Sequence, residues 1–141
     1  MSLDRCAPAK PARGSHILAR RQKRADLKAH EDREKARVVR RDGLHSCRLV
    51  PGCREKEKHE TAHLDDKGMG GDHGIRTTAD RMIRACFWHH QGVWSLHSKD
   101  LRVECLTDAG TDGPIEVWGQ DEYGGWFMVK REIAVGISER D

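Results

Sequence analysis

A chain of 141 residues, 36% hydrophobic and 35% charged, has room for one small core and little more. It holds no run of about 18 apolar residues, and its opening MSLDRCAPAK lacks an apolar signal segment, so the expectation is a cytoplasmic, intracellular chain with no membrane partner. The net charge of +3 hides an asymmetry: residues 1–48 carry 14 Lys or Arg against 6 Asp or Glu and the rest 12 against 17, a basic arm on a mildly acidic body that favours a polyanion.

In chain order, residues 1–15 contain Pro8, Pro11 and Gly14, show no apolar period and read as a flexible arm. Residues 16–41 have neither Gly nor Pro and are rich in Ala, Leu, Arg, Lys and Glu, which predicts a helix. Its apolar stripe of Leu18, Ala25, Leu27, Ala29, Ala36 and Val39 is thin, so the helix needs docking or binding to hold it. Gly43 is the expected C-terminal cap, which bounds a basic helical segment at 16–43. CRLVPGC (47–53) predicts a tight turn, and residues 58–64 a short strand. KGMGGDHG (67–74) predicts a glycine loop, residues 81–87 a second strand, and the histidines of FWHHQ a short helix or turn. LRVECLT (101–107) alternates like a strand, and GPIEVWG and GWFMVKREIAVGI predict a hairpin around QDEYGG.

Five cysteines without a secretory leader point to reduced thiols and to metal binding before disulfides. Cys47 and Cys53 flank a Pro-Gly turn, and Cys86 and His89 stand at C-x2-H spacing. Two close pairs on two turns are a common way to present four soft or borderline ligands to structural zinc (Zn2+), and a small core gains from such a staple. The alternative is that these cysteines are simply small buried side chains. Cys6 and Cys105 carry no partner signature. Trp88, Trp94, Trp118, Trp126 and Phe127 read as core.

VVRRDGLHSCRLVPGC, AHLDDKGMGGD and MIRACFWHHQGVWSLH occur in an order that resembles the HNH endonucleases, the ββα-metal or His-Me finger family on a zinc-containing treble-clef scaffold. The matching stretch is about residues 38–98. The resemblance implies a zinc-stapled ββα-metal core over 44–100; with the basic helix before it and a β-strand extension with a C-terminal β-hairpin over 101–141, both read above from the residues, the expected fold is α+β. It also implies that His63 is the general base. His90 is then a ligand of a catalytic divalent metal, Mg2+ or Mn2+, with His97 as the first choice for a further ligand. The implied reaction is hydrolysis of a DNA phosphodiester to 5′-phosphate and 3′-hydroxyl ends. Two positions depart from the family pattern. The residue before the base, often Asp or His and a metal ligand, is Ala62; Asp65, Asp66, Asp72 or His97 would have to replace it. The family asparagine falls at Arg81, beside Asp80.

A nuclease must hold a polyanion. Arg20, Arg21, Lys23, Arg24, Arg37, Arg40 and Arg41 on the helix, with Lys67 and Arg76 near the glycine loop, are the expected phosphate contacts. Glu31, Asp32 and Glu34 interrupt that face and suit i,i+4 pairs within the helix. Two other readings compete: a catalytically inactive zinc-stabilised module that binds nucleic acid, and a zinc domain whose helix docks on an acidic protein. Small stand-alone HNH proteins occur in phage and bacterial mobile DNA, so the resemblance leaves open action alone or within a larger phage packaging or restriction complex. Two strand cuts from one site would favour a dimer or sequential nicking.

Overall fold

Residues 16–41, without Gly or Pro, lie within a single helix, α1 (Arg13–Asp42), which begins inside the segment expected to be an arm and includes Gly14. At about 1.5 Å per residue it is roughly 45 Å long. Arg40 and Arg41 in its last turn complement the helix dipole. Gly43, at φ 103°, donates its N–H to the Val39 carbonyl at 2.8 Å and closes the helix as expected. Residues 16–26 are exposed throughout, whereas Val38 near the other end is fully buried. The helix is thus a projecting rod anchored at its C-terminal end. Along the rod, Gln22 bonds Asp26, Lys28 pairs with Asp32 and Lys35 with Glu31, all at i,i+4 spacing.

The computed structural model describes residues 13–64 and 77–139. The fold is α+β, with two antiparallel sheets. The first is a hairpin of β1 (His59–His63) and β2 (Met82–Cys86), in register with Ala62 opposite Ile83 and Glu60 opposite Ala85. A short helix, α2 (Phe87–Gln91), follows β2 directly. The second sheet has the order β3 (Leu101–Cys105), β4 (Ile115–Gln120), β5 (Trp126–Ala134), β6 (Ile137–Ser138). Sequence alternation foresaw β3 to β5; the two-residue β6 is too short to leave a periodic signal.

Strand alternation gives the hairpin two faces. Ala62, Ile83 and Ala85 pack with Leu49 and with Leu101, Ile115 and Val117 of the four-stranded sheet to form the main core. Met82 points the other way and packs with Ala79 and with Val38 of α1. The hairpin therefore lies between the helix and the larger sheet. No helix among the described residues is long and apolar enough to cross a membrane.

Two expectations about the core are corrected. Trp88 is 50% exposed: it lies on α2 with its indole N–H on Glu55 and Lys58 over its ring. Trp126 and Phe127 are likewise exposed on the sheet, Trp126 under the Arg102 guanidinium and Phe127 stacked on the partly buried Trp94. Gly119 makes the room for that stack, because a Cβ there would lie 2.5 Å from the Trp94 ring.

Candidate metal centre

The turn between Cys47 and Cys53 is pinned to the hairpin by the Arg48 N–H, which donates to the Arg84 carbonyl at 3.0 Å. Within the turn the Cys53 N–H donates to the Val50 carbonyl, and Gly52 adopts φ 70°. Across from it, Cys86 ends β2 and caps α2, its sulfur accepting from the His89 N–H at 3.4 Å. These two local structures bring Cys47, Cys53, Cys86 and His89 together, with all four ligand atoms within 4.8 Å of one another.

The spacing suits a tetrahedral ion. Metal–sulfur and metal–nitrogen bonds of about 2.3 and 2.05 Å would give tetrahedron edges of about 3.8 Å between sulfurs and about 3.5 Å between sulfur and nitrogen. Cys53 Sγ and Cys86 Sγ are 3.8 Å apart. His89 Nδ1 lies 3.5 Å from Cys47 Sγ, 3.7 Å from Cys53 Sγ and 3.1 Å from Cys86 Sγ. The four residues are close enough to hold a metal ion.

The thiols differ in acidity. Burial raises each of them. On Cys47 the His89 ring and the backbone N–H groups of Cys86, Val50 and Leu49 outweigh burial and bring it down to about 6. Burial, with the neighbouring Cys47 and Cys53, pushes Cys86 up to about 12. A dication among them would favour all three thiolates together.

His63, His90 and His97 stand outside this cluster. His90 follows His89 on α2, and its Nδ1 contacts Oε1 of Glu60 on β1. Gln91 Nε2 donates to the same oxygen. The chain after α2 folds back on it: the Leu96 N–H donates to the His89 carbonyl at 2.9 Å and the His97 N–H to the His90 carbonyl at 3.0 Å. That return sets the His90 and His97 rings edge to face, 4.7 Å between centroids. Burial holds the His90 imidazole below its ordinary pKa and His97 adds to this, against the raising effect of Glu60.

His63 ends β1 with Nε2 3.5 Å from Oε1 of Glu31 on α1. It also lines, with Leu64, Leu96, His97 and Lys99, an open cleft of about 520 Å³. His63 and His97 thus share a cleft, and His90 stands against His97. Ala62 is fully buried and offers no ligand atom. The four alternatives considered for its replacement divide: Asp65, Asp66 and Asp72, like the glycine loop, Lys67 and Arg76, lie outside the described residues, as does Cys6. Cys105 is exposed and stands outside the four-residue cluster.

The helix cations also divide. Arg20, Arg21, Lys23, Arg24 and Arg40 are exposed. Arg37 is half exposed but pairs with Asp112 and Glu34. Arg41, expected to face a phosphate, is turned inward instead. Its NH1 donates to the Ala79 carbonyl, Thr111 Oγ1 and Asp112 Oδ1, and its NH2 to the Met82 carbonyl and Asp42. A side chain so engaged is structural.

Two carboxylate contacts were not foreseen from the sequence: Glu60 beside His90, and Glu31, read there only as a partner within the helix, beside His63. Strand alternation was the available signal for Glu60, which shares its face with Ala62 two residues away. Glu31 gave none, since its partner is on another element. No family model, curated protein or solved structure matches this chain.

Proposed function

We propose that this chain is a zinc-stapled HNH-type endonuclease that hydrolyses DNA phosphodiester bonds with the help of a second divalent ion, Mg2+ or Mn2+. One observation carries the reading: the four-ligand Cys3His centre stands where two local pairs meet, and the next residue of the same helix, His90, belongs to a separate histidine group with His97 beside the cleft that His63 lines. Three thiolates and one imidazole are the donor set of structural zinc, and Cys47, Cys53, Cys86 and His89 would hold it.

In this reading His63 accepts a proton from water as the water oxygen bonds to phosphorus and the bond to the 3′-oxygen breaks. The electron pair of that bond leaves with the oxygen, which takes a proton from solvent, giving 5′-phosphate and 3′-hydroxyl ends. An imidazole suits the step because its pKa lies near neutrality. The Glu31 carboxylate, 3.5 Å from Nε2, favours the imidazolium that forms. His90 and His97 would hold the divalent ion, which when bound stabilises charge on the phosphate and leaving oxygen. The exposed cations Arg20, Arg21, Lys23 and Arg24 would track the backbone of the duplex.

A second reading is a zinc-stabilised nucleic-acid-binding module that does not cut. Buried Ala62, where the family places a ligand, favours it. Plasmid nicking separates the two. The first reading expects supercoiled DNA to be cut only with Mg2+ or Mn2+, and His63→Ala to lower the rate by about 10²–10⁴-fold. Salt-sensitive DNA retention with no cleavage by either protein, at full zinc content, would establish the second reading instead.

A further inference from the structure

On the function proposed above, Ala62, fully buried, offers the second metal site no ligand atom. The same strand face carries a carboxylate two residues earlier. Glu60 and Ala62 lie on the face that pairs with Ala85 and Ile83. The Glu60 side chain is about one-third exposed, while that of His90 is only 12% exposed. Oε1 of Glu60 meets both His90 Nδ1 and Gln91 Nε2, so one carboxylate oxygen grips two consecutive residues of α2.

An ionised carboxylate only accepts, so the contact places the proton of a neutral His90 on Nδ1 and leaves the lone pair on Nε2. Histidines that bind metals are commonly held this way, with the nitrogen away from the metal donating to a carboxylate that fixes ring and tautomer. His97 is fastened beside this ring through its backbone, N–H to the His90 carbonyl. The Glu60 contact is thus the side-chain half of a two-point hold on the His90–His97 pair.

We propose that Glu60 is the positioning residue of the second metal site: it locks His90 in the Nδ1–H tautomer and presents Nε2 to a divalent cation. The assignment of that cation to His90 rests on the function proposed above; the lock itself does not. Glu60 replaces the missing contribution of Ala62 indirectly, by ordering a ligand rather than by being one.

The test uses the zinc-loaded full chain labelled with 15N-histidine, the variants Glu60→Gln and Glu60→Ala, and Mn2+ as the probe ion. Long-range 1H–15N spectra at mildly alkaline pH and without Mn2+ read the tautomer. The native chain is expected to show His90 with Nδ1 protonated, Glu60→Gln to keep most of that population through its amide oxygen, and Glu60→Ala to show both tautomers. Mn2+ affinity is expected to fall about 10–100-fold in Glu60→Ala and much less in Glu60→Gln. A native His90 protonated on Nε2, or present as a mixture, overturns the proposal. So does a Glu60→Gln variant as poor in Mn2+ affinity as Glu60→Ala, because then the carboxylate itself is the ligand. A locked tautomer in a native chain that binds no Mn2+ leaves the Glu60–His90 lock standing but overturns its role at a metal site, and removes His90 from the proposed catalytic site. Unchanged zinc content across the three proteins shows that the comparison is between folded chains.

Discussion

Cys53 and Cys105 are chemically the same side chain in opposite circumstances. Cys53 Sγ stands 3.8 Å from Cys86 Sγ and 3.7 Å from His89 Nδ1, whereas Cys105 is exposed at the end of β3. A hydroxyl is a weak zinc ligand, so Cys53→Ser removes a quarter of the centre, while Cys105→Ser leaves it whole. Structural zinc contributes its binding energy to folding, about 10–16 kcal/mol in small peptides. Loss of one ligand is therefore expected to lower the melting temperature by roughly 10 °C or more, and Cys105→Ser to change it by no more than about 2 °C. Zinc content by mass spectrometry and thermal melts with and without a chelator check both. A native chain whose melt ignores complete zinc removal would contradict the structural role.

The two halves of α1 stand in different surroundings. The projecting half carries the exposed Arg20, Arg21, Lys23 and Arg24, and the anchored half buries Val38 and spends Arg41 on carbonyls and carboxylates. Replacing those four exposed cations by Gln is expected to weaken DNA retention and to reduce the slope of log affinity against log salt by about 0.9 for each phosphate no longer neutralised, leaving the melting temperature nearly unchanged. Arg41→Gln should do the reverse. Filter retention at several salt concentrations, beside a thermal melt, distinguishes the halves. The same division marks what the sequence made legible. Helix-forming composition, Gly43 at the cap and period-2 alternation are local signals, so α1 and β1 to β5 could be read close to their observed bounds. The Cys47/Cys53 and Cys86/His89 pairs were each visible for the same reason. What joins distant segments left no local trace: Arg41 meets Asp112 across 71 positions, and Glu60 meets His90 across 30. Trp88, Trp126 and Phe127 looked like core because large aromatics usually close one, yet their partners are surface cations and another ring.

At the scale of the whole molecule, a buried charged network ties every layer together. Arg48, in the turn between Cys47 and Cys53, grips Glu132 of β5 through Nε at 2.9 Å and NH2 at 2.7 Å. It also donates to Asp42 at the end of α1 and to the Thr111 and Gly113 carbonyls. Glu132 in turn accepts from Lys130 and from the Ile115 N–H. Its side chain is wholly buried, so removing one partner strands a charge out of water, at a cost of about 3–5 kcal/mol. Arg48→Ala is expected to destabilise by that amount in urea titrations of the zinc-loaded protein. The network also sets a pH dependence. Burial alone would raise the Glu132 pKa, but Arg48 and Lys130 outweigh it and hold the carboxyl below its ordinary value. Between its lowered folded pKa and the ordinary carboxylate value of about 4.3, the unfolded chain binds the extra proton. The stabilisation is therefore complete above that ordinary value and is lost as pH falls through the folded one. On the proposed function, zinc release by acid would act in the same direction, so the comparison needs Glu132→Gln, which cannot titrate and would lose the same zinc. Its stability should fall less steeply than that of the native chain as pH drops below about 4.3. Parallel curves for the two proteins would mean that the acid sensitivity belongs to the metal centre and other carboxylates, and that the Arg48–Glu132 pair holds the layers together without coupling them to pH.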